Sequence, residues 1–203
     1  IKNLTVDFEN TLFNEHEGKA DILNITLNKP LQPKDKTKII ITYTVKIPSA
    51  SFTGYGKTKE GYHLRFWYIT PAVYDKGWAL MSNLNIDDLY EKPTDFKIDI
   101  NIPKSYVLES NLYQYITKKE DVNNYYLIGK KKSDVILSIH KTEQFKTYKT
   151  KKINVYTDVL GDEYEIDYKS KIVSLNRNIQ FLEKYLGQYP HKELFIDKAT
   201  QKK

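Results

Sequence analysis

Residues 96–102 read Phe-Lys-Ile-Asp-Ile-Asn-Ile, and this stretch decides the fold class. Apolar side chains occupy every second position, and polar side chains occupy the positions between them. Because side chains on a β-strand alternate between its two faces, the pattern predicts a strand with one buried and one wet face. Similar alternation predicts further strands at Leu4/Val6/Phe8, Ile25/Leu27, 39–47, 106–109, 125–128, 135–139 and 153–159.

Half-polar strands of this kind are typical of antiparallel sheets that pack on the core with one face only. Turn residues separate them, such as Pro30, Pro33 and Asp35 before one strand and Pro103 after another. The first three quarters of the chain therefore predict a mainly β fold, either a β-sandwich or a saddle of curved antiparallel sheets.

The apolar period changes near Tyr168 from two residues to about 3.6 residues, which is the period of an α-helix. One stripe predicts a helix over about 169–186, ended by Gly187 and Pro190. A strand at about 193–198 follows. The stripe consists of Ile172, Leu175, Ile179, Leu182 and Leu186. We expect residues 1–150 to form a β-rich domain and residues 151–203 to begin an α/β domain that is cut short.

The composition excludes several classes of protein. Among 203 residues there are eight Gly and seven Pro, which is too few for a collagen-like or disordered chain. The absence of Cys excludes disulfides, cysteine-ligated zinc, iron–sulfur clusters and thiol nucleophiles. No apolar run approaches the roughly 20 residues that a membrane-spanning helix needs. Because the sequence starts at Ile1 without a leader, we expect a piece of a longer polypeptide.

The net charge of +6 is concentrated in one block of the chain. Residues 117–152 contain ten lysines and four acidic residues, whereas the remainder is balanced. Lysines often protect exposed strand edges from aggregation, so we interpret this block as solvated hairpins. No nucleic-acid-binding motif accompanies the charge, and nucleic acid is not an expected partner.

Motifs for catalysis are incomplete in this chain. The histidines His16, His63, His140 and His191 do not include a pair at the His-Glu-x-x-His spacing that places two zinc ligands on one helix face. Nucleophile elbows and phosphate-binding glycine loops are also missing. The acidic pairs Asp87/Asp88 and Glu163/Glu165 are interpreted as solvated. The sequence therefore predicts no metal site and no catalytic residue.

Residues 61–83 concentrate large aromatic side chains, including both tryptophans, Trp67 and Trp78. Phe66, Tyr68 and Tyr74 lie in the same stretch. Aromatic side chains with a polar tip are common in pocket walls and interfaces, but they also fill cores. Both interpretations remain open from the residues alone.

Four short motifs occur in a characteristic order. Residues 29–33 read Lys-Pro-Leu-Gln-Pro, residues 67–78 read Trp-Tyr-Ile-Thr-Pro-Ala-Val-Tyr-Asp-Lys-Gly-Trp, residues 102–107 read Ile-Pro-Lys-Ser-Tyr-Val, and residues 181–190 read Phe-Leu-Glu-Lys-Tyr-Leu-Gly-Gln-Tyr-Pro. Together they resemble the N-terminal part of bacterial zinc aminopeptidases of the aminopeptidase N (gluzincin) family.

The resemblance implies a saddle-shaped β-domain, here residues 1–150, that caps a thermolysin-like catalytic domain begun by residues 151–203. It further implies a non-catalytic cap that shapes the substrate side of the cleft. Zinc belongs to the full-length parent and not to this chain, so no peptidase activity is expected here. The implied partners are the missing catalytic domain of the same polypeptide and a peptide substrate. The residues alone fit a periplasmic, cell-surface or cytoplasmic location equally well, and the resemblance to bacterial peptidases favours the first two.

The resemblance places substrate-binding residues at Arg65, Phe66, Trp67 and Tyr68. The family has Gln or Glu just before the aromatic stretch, where this chain has Arg65 and Phe66. Neither side chain can accept a hydrogen bond from a substrate ammonium group, so the parent is either a divergent peptidase or an inactive one. The alternative hypothesis is a stand-alone β-sandwich module that binds a glycan, peptide or protein through residues 66–78.

Overall fold

The computed structural model describes residues 1–81, 90–143, 145–160 and 166–201, and this part of the protein is mainly β. The first nine strands are β1 (Asn3–Val6), β2 (Glu9–Asn10), β3 (Phe13–His16), β4 (Lys19–Ile25), β5 (Ile39–Thr42), β6 (Gly56–Lys57), β7 (Gly61–Leu64), β8 (Val73–Tyr74) and β9 (Trp78–Ala79). The remaining elements are β10 (Thr94–Pro103), β11 (Val107–Ser110), β12 (Tyr113–Lys118), β13 (Val122–Lys132), β14 (Leu137–His140), β15 (Lys146–Lys149), β16 (Asn154–Thr157), α1 (Tyr168–Leu186), β17 (Glu193–Ile196) and α2 (Lys198–Gln201).

The described residues divide into two compact units. The first unit comprises Ile1–Lys46 and Tyr68–Lys92, and its strands form the antiparallel sheet β2-β1-β5 with the hairpins β3–β4 and β8–β9. Leu4 and Val6 of β1 are buried there together with Ile22 and Val73. The alternation predicted for β1 is therefore confirmed for its first two apolar residues.

Phe8 departs from that alternation. Asp7 and Phe8 both adopt positive φ, at 50° and 71°, and they form the turn between Val6 and Glu9, which pair across β1 and β2. Two central residues with positive φ give a hairpin turn whose twist matches the strands. The ring of Phe8 is therefore 73% exposed, and Nζ of Lys38 lies 4.7 Å from its centroid.

The second unit comprises Ile47–Trp67 and Pro93–Lys203. Its described strands form the antiparallel sheets β10-β13-β12 and β11-β14-β7-β6 and the mixed sheet β15-β16-β17. In β10 the predicted alternation is confirmed: Ile102 is buried, Ile98 is half-buried, and Asp99 between them is exposed.

The C-terminal sheet has its own core. Tyr148, Ile153, Val155 and Ile179 are buried together, and Ile172 and Leu175 of α1 pack against them. β16 and β17 are parallel neighbours, with Val155 opposite Leu194. Parallel strands require a crossover connection, and α1 lies within it. The predicted order of strand, helix and strand is therefore confirmed.

The ends of α1 are defined by side-chain and backbone caps. Oδ1 of Asp167 accepts hydrogen bonds from the backbone N–H groups of Lys169 and Ser170, at 2.9 and 3.1 Å. Gly187 has φ 83°, and its N–H donates to the carbonyl of Glu183. The predicted glycine cap is therefore confirmed, and the strand expected at about 193–198 is β17, which ends at Ile196.

The apolar stripe of α1 is buried only in part. Ile179 is 7% exposed, but Leu182 and Leu186 are 49% and 80% exposed. A helix of 19 residues is about 28 Å long, whereas each strand of the adjacent sheet has four residues and spans about 13 Å. Of the stripe on α1, Ile172, Leu175 and Ile179 belong to the core of the C-terminal sheet.

Candidate functional site

The aromatic stretch enters both compact units. Its first residues form β7 of the four-stranded sheet, and Arg65, Phe66 and Trp67 follow in the same unit. Tyr68 is the first residue of the other segment, which continues into the hairpin β8–β9. The four residues expected to bind substrate therefore form two groups, three in one unit and one in the other.

Arg65 is held by a polar side chain on each side of its guanidinium. Nε donates to Oδ2 of Asp134 over 2.6 Å, and Nη1 donates to the hydroxyl of Tyr55 over 3.3 Å. Although burial disfavours its charge, these hydrogen bonds raise the pKa of Arg65 above its ordinary value. The side chain is a fixed cation whose charge is neutralised by Asp134.

Phe66 adopts a left-handed backbone conformation, with φ 55°. This conformation is uncommon for a bulky residue, and such residues often lie near functional positions. The centre of the Arg65 guanidinium lies 4.5 Å from the centroid of the Phe66 ring, which is a cation–π arrangement. Phe66 is 44% exposed, so the two side chains present a flat, partly apolar surface.

Trp67 and Tyr68 are half-buried, unlike the aromatic residues farther along the stretch. Backbone near Tyr68 is anchored within its own unit, because the N–H of Ile69 donates to the hydroxyl of Tyr43 over 3.3 Å. These two aromatic residues combine packing with partial exposure.

Tyr74 and Trp78 project from the hairpin β8–β9. The two residues pair across the strands, and their rings meet edge to face with centroids 5.1 Å apart. The exposed fractions are 61% for Tyr74 and 65% for Trp78. Lys76 has φ 58° in the turn, and the N–H of Asp75 donates to the carbonyl of Gly77. A tight hairpin thus presents an aromatic pair to solvent.

A buried polar cluster was not predicted from the sequence. It consists of His63, Ser138, His140 and Asp197, and we call it the histidine cluster. Oγ of Ser138 lies 2.6 Å from Nε2 of His140 and 3.2 Å from Nδ1 of His63. The same Nδ1 atom lies 3.4 Å from Oδ2 of Asp197. Ser138 is fully buried.

A second buried acid lies on the same sheet. Glu109 is 3% exposed, and its Oε2 atom accepts hydrogen bonds from the hydroxyl of Tyr156 and from Nε2 of Gln114. Burial raises the pKa of Glu109, despite these hydrogen bonds. The Glu109–Tyr156 contact joins the four-stranded sheet to the sheet that contains β16.

The described residues contain no cluster of side chains that could bind a metal ion. Across residues 1–81, 90–143, 145–160 and 166–201, no group of three or more His, Asp or Glu side chains is arranged to hold an ion. The acidic pairs Asp87/Asp88 and Glu163/Glu165 lie outside these ranges. No helix in the described part of the chain is long and apolar enough to cross a membrane.

We compared the chain with protein-family models, with curated proteins and with solved structures. None of them matches this chain.

Proposed function

We propose that this chain is the non-catalytic N-terminal cap region of a zinc-dependent, aminopeptidase-like metalloprotein. One structural observation carries the proposal. β16 and β17 are parallel, unlike the antiparallel strands before them, and α1 lies in the connection between them. This is the part of the chain in which the resemblance predicts the start of a thermolysin-like domain. A parallel pair with a helical crossover is the usual opening of an α/β domain, and it is not expected inside an antiparallel sandwich.

The ordered motifs supply the second support. The aromatic motif at residues 67–78 begins three residues after the last residue of β7 and includes the hairpin β8–β9, and the motif at residues 181–190 includes the end of α1. The β-rich domain of the proposal is residues 1–150, in a saddle-like or sandwich arrangement. Residues 151–203 form the beginning of the catalytic domain.

In this proposal Phe66 and Trp67 of the second unit line the cleft, with Arg65 as a positioning residue, and Tyr68 of the first unit is a separate substrate contact. Because Arg65 is a hydrogen-bond donor already bound to Asp134, it cannot take the role of a Gln or Glu acceptor for a substrate ammonium group. The cation–π contact instead holds the Phe66 ring in place. We therefore propose a wall that contacts apolar side chains of a peptide.

Zinc does not fit the described residues of this chain, which lack a ligand set. A catalytic zinc site needs three protein ligands and an open position. In the proposal these ligands belong to the part of the parent polypeptide that follows residue 203.

The coding sequence downstream of the codon for Lys203 tests this proposal directly. We expect an open reading frame that encodes a His-Glu-x-x-His helix within roughly the next hundred codons, because that motif puts both zinc ligands on one helix face. A stop codon immediately after Lys203 would overturn the proposal.

Activity of the isolated chain gives an independent test. The purified protein is incubated with zinc and with a series of aminoacyl p-nitroanilides, and its bound metal is measured after gel filtration. We expect neither hydrolysis nor stoichiometric zinc. Hydrolysis that co-elutes with the protein would show that the chain is itself an enzyme.

The exposed pair Tyr74 and Trp78 favours a second candidate function, a binding module for a glycan, peptide or protein. Tyrosine and tryptophan bury large areas at low cost in side-chain entropy, which makes an exposed pair suitable for binding. Half-buried Trp67 does not share this exposure.

Glycan and peptide arrays probed with the wild type and with Trp78→Ala separate the two candidates. If the hairpin is a binding site, the substitution abolishes a reproducible signal. Phe52→Ala is the matched control, because Phe52 is an aromatic residue that is 97% exposed but lies outside the hairpin. Equal binding by both variants would exclude the hairpin as the site.

A further inference from the structure

The histidine cluster occupies one face of the four-stranded sheet. His63 of β7 pairs with Ser138 of β14, and Ser138 pairs with Glu109 of β11. Directly paired residues project to the same face, and His140 shares this face because it lies two residues after Ser138. The sheet therefore presents a row of buried polar side chains rather than an apolar surface.

Asp197 reaches this row from the end of β17. It is 2% exposed, and its Oδ1 atom accepts a hydrogen bond from the N–H of Ala199 over 2.6 Å, at the beginning of α2. The backbone N–H of Lys198, which lies between Asp197 and Ala199, donates to Oδ1 of Asp158 over 2.8 Å. The Asp197 carboxylate thus lies against His63 and also accepts a hydrogen bond at the start of the short helix.

One assignment of the cluster's protons puts a proton on Nδ1 of His63, which lies 3.4 Å from Oδ2 of Asp197. In that arrangement Nδ1–H of His63 faces the carboxylate, and the Ser138 hydroxyl donates to a neutral His140 at Nε2. A second proton on Nε2 of His140 would remove this acceptor and leave the Ser138 hydrogen without one. With this assignment, His63 carries a proton on Nδ1, and adding a proton to Nε2 of His140 is unfavourable.

Charges around the cluster strengthen this effect. The two imidazole rings are 4.9 Å apart between centroids, so two cations would repel each other at short range. Burial, and then the charge of His63, lower the pKa of His140, although Asp197 and Glu60 act in the other direction. Asp158 is a further acid beside Asp197, and Lys198 is a nearby cation.

Nδ1 of His140 is buried without a hydrogen-bond partner in the described residues, so a charged ring would lack solvation.

We propose that the histidine cluster is a proton-sensitive latch, in which protonation of His140 opens the segment from Asp197 to Gln201 and admits water to the sheet face. In the open form, water can solvate the charged His140 ring, which is buried in the closed form. This inference concerns the fold of the second unit and does not depend on the proposed cap function.

The expected direction follows from proton linkage. Because the pKa of His140 is lowered in the closed form, the open form binds more protons just below the ordinary histidine value of about 6.5. Opening therefore becomes more favourable as the pH falls through this range, by up to about tenfold per pH unit for one proton. Above this range the latch stays closed.

Amide hydrogen exchange measured by NMR on the full chain tests the latch. The reporters are the N–H groups of Lys198 and Ala199, which are bonded to the two carboxylates. After correction for intrinsic exchange, we expect their protection to fall about fivefold between about pH 6.5 and about pH 5.5. Amides of the paired strands β10 and β13 should keep their protection. Constant protection at Lys198 and Ala199 would overturn the proposal.

His140→Gln separates the latch from general acid sensitivity, because glutamine can still bond to Ser138 but does not titrate. We expect this variant to lose the pH dependence, whereas His16→Gln, a histidine outside the cluster, retains it. A dependence that persists in His140→Gln would also overturn the proposal. If His140→Gln does not fold, the titration of the His140 ring is measured in the wild type instead. The proposal then requires that the pKa of His140 lies below about 6.5 and that amide protection falls over the same pH range.

Discussion

Nε of Arg65 donates to Oδ2 of Asp134 over 2.6 Å, although the two residues are 69 positions apart in the chain. The contact joins the residue after β7 to the loop before β14. Asn111 also reaches this loop, because its Nδ2 atom donates to the carbonyl of Asp134 over 3.1 Å. The resemblance assigns Arg65 to substrate binding. In the structure, hydrogen bonds at this position connect three segments of the second unit.

Arg65→Ala should destabilise the protein. It removes the guanidinium and leaves the Asp134 carboxylate, which is 13% exposed, without its cation. Because Arg65 is itself one-third exposed, we expect a loss of about 1–2 kcal/mol in the free energy of unfolding, measured with urea. The control is Arg177→Ala, at the other arginine of the chain, which is exposed. Equal losses in the two variants would contradict a role for the Arg65–Asp134 contact.

Glu109→Gln should stabilise the protein at neutral pH. The folded pKa of Glu109 is raised by burial, so its ionised form is disfavoured in the folded state and stability is lost as the pH rises through that pKa. Glutamine keeps an acceptor for Tyr156, and Oε1 of Gln114 is a buried atom without a hydrogen-bond partner in the described chain.

The advantage of Glu109→Gln should decrease as the pH falls and be lost below about pH 4.3, where the carboxyl group becomes mostly neutral in both folded and unfolded protein. Urea unfolding at several pH values measures this profile. Glu120→Gln, at an exposed position, is the matched control and should show no such advantage. A profile for Glu109→Gln that parallels the wild type at all pH values would refute the assignment of Glu109 as a destabilising buried acid.

Gly61→Ala should disrupt the pairing of β7 with β14. A Cβ atom at Gly61 would lie 1.8 Å from the carbonyl oxygen of Ile139, and backbone cannot rotate away as a side chain can. We expect a loss of about 1–3 kcal/mol or more in urea unfolding, as for overpacked cores. Gly77→Ala is the control, since a Cβ there meets nothing within 4 Å. Similar stability of the two variants would be incompatible with this close strand approach.

Asp167→Ala should weaken the start of α1, because it removes the acceptor for the N–H groups of Lys169 and Ser170. The hydrogen bond from the Ser170 hydroxyl, followed by backbone bonds, lowers the pKa of Asp167, so its contribution is present above about pH 3.8 and lost as the pH falls further. Asp167→Asn retains an acceptor and should keep the helix without this acid dependence. Helical circular dichroism during thermal unfolding distinguishes the variants, and an alanine variant as stable as the asparagine variant would exclude the cap.

Local patterns were sufficient to predict much of the fold. Alternation placed β10 and its buried face, and the helical period with Gly187 placed α1 to within one residue of its observed start. These predictions succeed because strand and helix periods are properties of consecutive residues. The strand expected over 39–47 is shorter, since β5 ends at Thr42, and alternation alone does not mark where pairing stops.

The histidine cluster could not be predicted in the same way. Ser138 and His140 alternate with Leu137 and Ile139, which predicts a strand with a polar, wet face, yet all four residues of β14 are buried. The face is buried because Asp197, distant in sequence, lies against it. Strand partners and covering segments depend on pairing over long distances, which the local sequence does not encode.

The order of strands in the four-stranded sheet has a consequence for synthesis on the ribosome. The hairpin β6–β7 can close as soon as it is made, because its strands are adjacent in sequence. The other edge of β7 must wait for β14, which pairs Leu64 with Leu137. Until then this edge is open to other chains, so an unpaired β7 can promote aggregation of the nascent protein.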